Sequence, residues 1–129
     1  MRSDIVAYND ALGDFKDNAN QLFLELEKLA PNLEVKIWHR TVVFFDDGNP
    51  LFGYSLKKHG LELMFWSGQA FENQKGLDPV GSFKAARIIL SPKANLPMSL
   101  IKTWVKEAFT VQFDYKNIVK NKGVLERIK

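Results

Sequence analysis

Val35-Lys36-Ile37-Trp38-His39-Arg40-Thr41-Val42-Val43-Phe44-Phe45, followed by Asp46-Asp47-Gly48-Asn49-Pro50, is the stretch that decides the fold. β-Branched and aromatic side chains fit a pleated, half-buried surface, so Val35 to Phe45 reads as a strand. The Asp-Asp-Gly-Asn-Pro run supplies the turn chemistry of a hairpin. Leu51 to Leu56 and Leu61 to Trp66 read as two more strands, joined at Lys57-Lys58-His59-Gly60. Connections this short imply antiparallel neighbours, because parallel strands need a crossover of about a dozen residues or more. Phe83 to Leu90 is a further strand, ended by Ser91-Pro92. Between it and the meander lies one long irregular stretch, residues 67 to 82, and a loop of that length in a small domain carries function or moves.

Outward from the strands the apolar period changes. Leu12, Phe15, Ala19, Leu22, Leu26 and Leu29 recur at spacings of three and four, which predicts a helix of about twenty residues ending at Pro31. Asp10, Asp14, Asp17, Gln21 and Glu25 fall in a second narrow stripe, so this helix is expected to carry an acidic ridge. At the other end, Pro97 suits a first turn, and Ile101, Trp104, Ala108, Val111, Tyr115 and Ile118 predict a helix that Gly123 breaks. The expected architecture is α+β: a twisted antiparallel sheet of about five strands with the N-terminal and C-terminal helices packed on one face.

Length and composition agree with one folded unit. Residues 1–129 form a single domain, since chains split only beyond roughly 250–300 residues. With 46% hydrophobic and 26% charged residues the chain can build a core, which excludes disordered and collagen-like classes. Cysteine is absent, so disulfides, thiolate metal sites and cysteine nucleophiles are excluded. The opening residues lack the apolar centre of a signal peptide and no apolar run approaches the roughly 20 residues of a membrane span, so a cytoplasmic location away from membranes is expected.

The net charge of +3 hides a gradient. Residues 1–34 hold three basic and seven acidic side chains, residues 35–83 five of each, and residues 84–129 ten basic and three acidic. A basic last third is not enough to argue for nucleic acid: no helix-turn-helix, zinc finger or single-strand-binding signature accompanies it. No Gly-rich phosphate loop, paired metal histidines or nucleophile elbow occurs either, which leaves no basis for naming a reaction; the expectation, resting on the aromatic residues, is a non-enzymatic binding domain.

Lys36-Ile37-Trp38-His39 and Phe44 to Ser55 resemble the YdhG-like family of bacterial domains of unknown function. The likeness continues through Leu63 to Gln69, Gly81 to Ala86, Phe113 to Lys120 and Leu125-Glu126-Arg127, covering the chain from about residue 30 onward. That family is similar in fold to frataxin, so the resemblance implies two helices on a twisted antiparallel sheet. It also implies, as an alternative function, iron binding and delivery through carboxylates on the first helix: Asp10, Asp14, Asp17 and Glu25, with iron as the cargo. No other cofactor is expected.

The aromatic residues point to a different site. Alternation along the strands places Trp38 with Arg40, Val42 and Phe44, places Tyr54 with Phe52 and Leu56, and sets Met64 and Trp66 opposite Leu61, Leu63 and Phe65. Both faces of the sheet then carry large apolar groups, while two helices cover only one. An open surface around Trp38, Tyr54 and Trp66 is therefore expected, to be filled by a small ligand under the 67–82 loop, by a protein partner, or by a second copy in a homodimer. His39, Lys58 and His59 complete this candidate ligand site as nearby polar groups. No carboxylate or second ligand at useful spacing marks either histidine as catalytic or metal-binding.

Overall fold

The computed structural model describes all 129 residues. In chain order it contains α1 (Ser3–Asp10), α2 (Lys16–Leu29), β1 (Glu34–Trp38), β2 (Thr41–Asp46), β3 (Asn49–Lys57), β4 (Gly60–Phe65), β5 (Asp78–Pro79), β6 (Ala86–Leu90) and α3 (Met98–Thr110). The strands form one antiparallel sheet in the order β1-β2-β3-β4-β6-β5. The α+β class and the meander through β2, β3 and β4 are as expected; the sheet has six strands.

β6 starts at Ala86 and not at Phe83, and three larger differences from the sequence reading each have a physical reason. The stretch from Val35 to Phe45 is two strands, because His39 and Arg40 both take left-handed backbone, with φ of 50° and 62°. That is the geometry of a two-residue hairpin turn, and it brings Trp38 opposite Thr41. The single N-terminal helix is broken: α1 ends at Asp10 and α2 starts at Lys16, separated by a turn in which Gly13 has φ of 60°, cheap for glycine alone. The C-terminal helix stops at Thr110. β-Branched Val111 is extended, with φ −125° and ψ 99°. Gln112 is then committed elsewhere, its backbone bonding that of Ile128 and Lys129 and its amide donating to Asp46 Oδ2 at 2.9 Å.

The core lies between the helices and one face of the sheet. Val42 and Phe44 of β2, Phe52 and Tyr54 of β3, and Leu61, Leu63 and Phe65 of β4 meet Leu22, Phe23 and Leu26 of α2 and Ile101, Trp104 and Val105 of α3. Phe44 stacks on Phe52 at 4.9 Å, and Trp104 stands edge-on to Phe65 at 5.7 Å. Each such fully buried large side chain contributes on the order of 1.5–3 kcal/mol relative to exposure. A bulge between Phe44 and Phe45 leaves Leu51 as the extra residue of β3 and turns it into this core, next to Pro50, a residue tolerated in sheets at bulges.

The 67–82 stretch is not irregular throughout: Asp78–Pro79 is edge strand β5, and the residues before it pack on the helix side. Phe71 is buried edge-on to Phe65, the Trp104 indole donates to Asn73 O at 3.0 Å, and the Glu107 carboxylate accepts the Glu72 amide at 2.9 Å. Glu72 and Asn73 fasten the stretch to α3, while the Gln69 amide donates to Ala85 O beside β6.

Candidate functional site

Residues paired across neighbouring strands share a face. The pairs Trp38↔Thr41, Lys36↔Val43 and Glu34↔Phe45 therefore put Lys36, Trp38, Val43 and Phe45 on the face that no helix covers. Trp66, one residue past Phe65, falls on the same face. At its centre Gly53 is paired with Val43 on one side and Met64 on the other and offers no side chain. Aromatic rings cluster on this face: Trp38 lies 5.7 Å from Phe45 and 6.5 Å from Trp66, with the His39 ring 4.4 Å away. The Lys36 ammonium stands 4.8 Å from the Phe45 ring and pairs with Glu34 at 3.2 Å.

Exposure separates roof from floor. Val43 and Phe45 are buried although no helix reaches them, while Trp38 remains 42% exposed. Farther along the face, Glu62 is buried and ion-paired with Arg87 at 2.8 Å. The surface thus presents an exposed indole packed on neighbouring aromatic rings and bordered by internally paired charges. None of the molecule's three cavities opens on it.

Of the expected ligand residues the structure brings together Trp38, His39 and Trp66 only. Tyr54 is fully buried on the helix side, its hydroxyl donating to Asn9 Oδ1 at 2.8 Å, so it is a core residue. Burial pushes its phenol pKa well above the ordinary value. Trp38 does not share a face with Val42 and Phe44, because the turn at His39-Arg40 restarts the alternation. Lys58 and His59 are exposed in the turn between β3 and β4 and belong to no aromatic contact. Phe45 was missed as part of the patch; its alternation with Phe44 was the available signal, masked by the unrecognised turn.

The largest cavity, about 600 Å³, does lie under the 67–82 loop, but between it and α3, with Asn73, Thr103, Lys106 and Arg127 among its lining. None of the expected aromatic residues reaches it. A polar cavity of about 270 Å³ is lined by Asp46, Asn49, Gln112, Asp114 and Lys116. Its groups bond one another: Asn49 donates to Gln112 Oε1 at 3.2 Å, and Asn117 donates to Asp114 at 3.0 Å. The Gln112 amide, followed by Lys129, holds the Asp46 carboxyl below the usual carboxylate range.

The expected acidic ridge is dispersed. Asp10 ends α1 and pairs with Lys16 at 3.2 Å, Asp14 sits in the turn beyond Gly13, and Asp17 and Glu25 are on α2. No three histidine, aspartate or glutamate side chains are grouped so as to hold a metal ion.

No protein-family model and no curated protein matches the chain. A solved structure does: YdhG of Bacillus subtilis, a protein from the DUF1801 family, with a TM-score of 0.63 over 94% of each chain. The fold is that of YdhG. Identity is 16%, so the likeness establishes the architecture, in agreement with the resemblance carried by the strand residues, and leaves function to the site itself. No helix is long and apolar enough to cross a membrane.

Proposed function

We propose that the chain is a non-enzymatic, cytoplasmic binding domain that docks a protein partner on the helix-free face of its sheet, with Trp38 as the anchor. The observation that carries this reading is an indole left 42% exposed yet held in one place by Phe45, Trp66 and His39. Tryptophan is enriched among the few residues that dominate binding energy, and a side chain already fixed loses little conformational entropy on association. The absence of a cavity on this face favours a protein partner, a second copy included, over the small ligand, which needs a concave site. Iron delivery through Asp10, Asp14, Asp17 and Glu25 lacks a comparable observation, since these carboxylates do not gather into a ligand set.

Photo-crosslinking tests the reading. Benzoylphenylalanine in place of exposed Lys36, on the same face and with the Trp38 indole intact, should yield one discrete crosslinked species in cells that make the protein, and the same group at exposed Glu27 on α2 should not. Equal labelling from both positions, none from position 36, or labelling from position 36 that persists in Trp38→Ala, would refute it. Sedimentation of the purified chain then tells a second copy from a different protein.

A further inference from the structure

A groove of about 330 Å³ runs between α2 and α3 on the helix side of the molecule, lined by Leu29, Lys102, Val105, Lys106 and Phe109. Val105 is buried and forms the floor, while Leu29 and Phe109 are half-buried walls. Lys102, Val105, Lys106 and Phe109 follow one another at spacings of three and one, then three, so they make a single stripe of α3 beside the stripe that enters the core. Lys102 and Lys106, one helical turn apart, are exposed and take part in none of the five ion pairs of the molecule. No acidic residue lines the groove.

We propose that this groove docks an acidic amphipathic helix of a partner protein. A carbon-lined trough between two helices accepts the apolar stripe of a third helix, and the two lysines along its rim meet carboxylates spaced one turn apart on that helix. An uncharged apolar occupant would leave both ammonium groups without partners. A flat lipid surface would meet the lysines but not the buried floor at Val105. The groove and the Trp38 patch are on opposite faces of the sheet, so this inference stands apart from the proposed docking at Trp38.

Selection from a phage-displayed library of helix-forming 16-residue peptides, with the intact chain as bait, tests the proposal. The expected peptides combine a Leu, Phe or Met stripe with two or more acids. Their binding should shift the amide resonances of Leu29, Val105 and Phe109 and weaken as salt is raised. The Lys102→Glu and Lys106→Glu double variant, altered only at exposed positions, should bind them about tenfold or more weakly while keeping its circular dichroism. Failure to select any saturable binder would overturn the proposal, as would selected peptides without acids that bind the double variant equally well. So would binding of the chain to phosphatidylglycerol vesicles through the same two lysines with no competition from the peptides.

Discussion

Replacing Tyr54 with Phe separates a core role from a ligand role at a residue whose sequence context allowed either. Phenylalanine keeps the ring and its edge-on packing against Tyr8 at 6.2 Å, and removes only the hydroxyl that donates to Asn9 Oδ1 at 2.8 Å. Both residues are fully buried, and Asn9 Nδ2 keeps its bond to Asn20 at 3.0 Å. The substitution therefore orphans one buried acceptor in a protein that leaves no buried side-chain polar atom without a partner. Such an acceptor costs about 1–3 kcal/mol. At about 4 °C per kcal/mol for a domain of this size, a loss near 2 kcal/mol lowers Tm by about 8 °C. Urea unfolding should show the lower midpoint with unchanged slope. Raising the pH adds an internal check. Burial raises the Tyr54 phenol above its ordinary value of 10.0, so its contribution is complete below pH 10 and is lost as pH climbs toward the folded-state pKa, where the unfolded chain alone has released the proton. Tyr8 and Tyr115 are raised by burial too and weaken both proteins alike. The gap between wild type and Tyr54→Phe should thus narrow above pH 10. A neutral-pH loss below about 0.5 kcal/mol, or a gap that widens with alkali, would refute the reasoning.

Three further outcomes are expected. In Gly53→Ala the new Cβ would sit 2.6 Å from the Val42 carbonyl oxygen and 3.2 Å from Val43 Cα, backbone that cannot step aside, so chemical denaturation should show a loss of about 1–3 kcal/mol or more. Lys122 closes a turn with φ of 55°, its amide bonding Val119 O and the next amide, of Gly123, bonding Ile118 O, the hydrogen-bond pattern of a helix end that prefers glycine at that position. Lys122→Gly should therefore raise stability by about 0.5–1 kcal/mol, measurable by calorimetry; a loss would show that the turn is not formed in solution. Iron(II) titrated into wild type and into an Asp10→Asn, Asp14→Asn, Asp17→Asn, Glu25→Gln variant should give indistinguishable heats, and saturable binding by the wild type alone would restore the iron-delivery reading.

What could be read from the residues depended on whether the deciding signal was local. Asp46 to Pro50 announces its turn through residue types that suit turns, and Leu61, Leu63 and Phe65 recur at every second position because their face of the strand meets helices. The turn at His39-Arg40 carries neither glycine nor asparagine, and two ordinary side chains hold left-handed backbone because β1 and β2 pair around them. The end of α3 was hidden for a similar reason. The apolar spacing runs on through Val111, Tyr115 and Ile118, but Gln112 is claimed by Asp46 and by the chain's own last residues, a tertiary preference that overrides helical period. Helical spacing across residues 12–29 likewise survived a break after α1, since the turn around Gly13 still delivers Leu12 and Phe15 to the core surface.

The missed turn had a functional consequence larger than its size. A two-residue hairpin at His39-Arg40 sets Trp38 on the face of Thr41, Val43 and Phe45, whereas one unbroken strand would have set it with Val42 and Phe44, against the helices. The same alternation, carried across from β2, places Tyr54 with the core residues Val42 and Phe44 and leaves Trp66 outside. On the helix-free face it is therefore Phe45, buried, and not Tyr54 that joins the exposed Trp38 and the half-buried Trp66. This arrangement makes the Gly53 and Trp38 positions separable by experiment. A side chain at position 53 strains the backbone and so threatens the whole sheet. Truncation at position 38 removes a ring outside the helix-side core but uncovers Phe45, so a large effect on association comes from the lost surface where circular dichroism and the unfolding midpoint show the sheet intact.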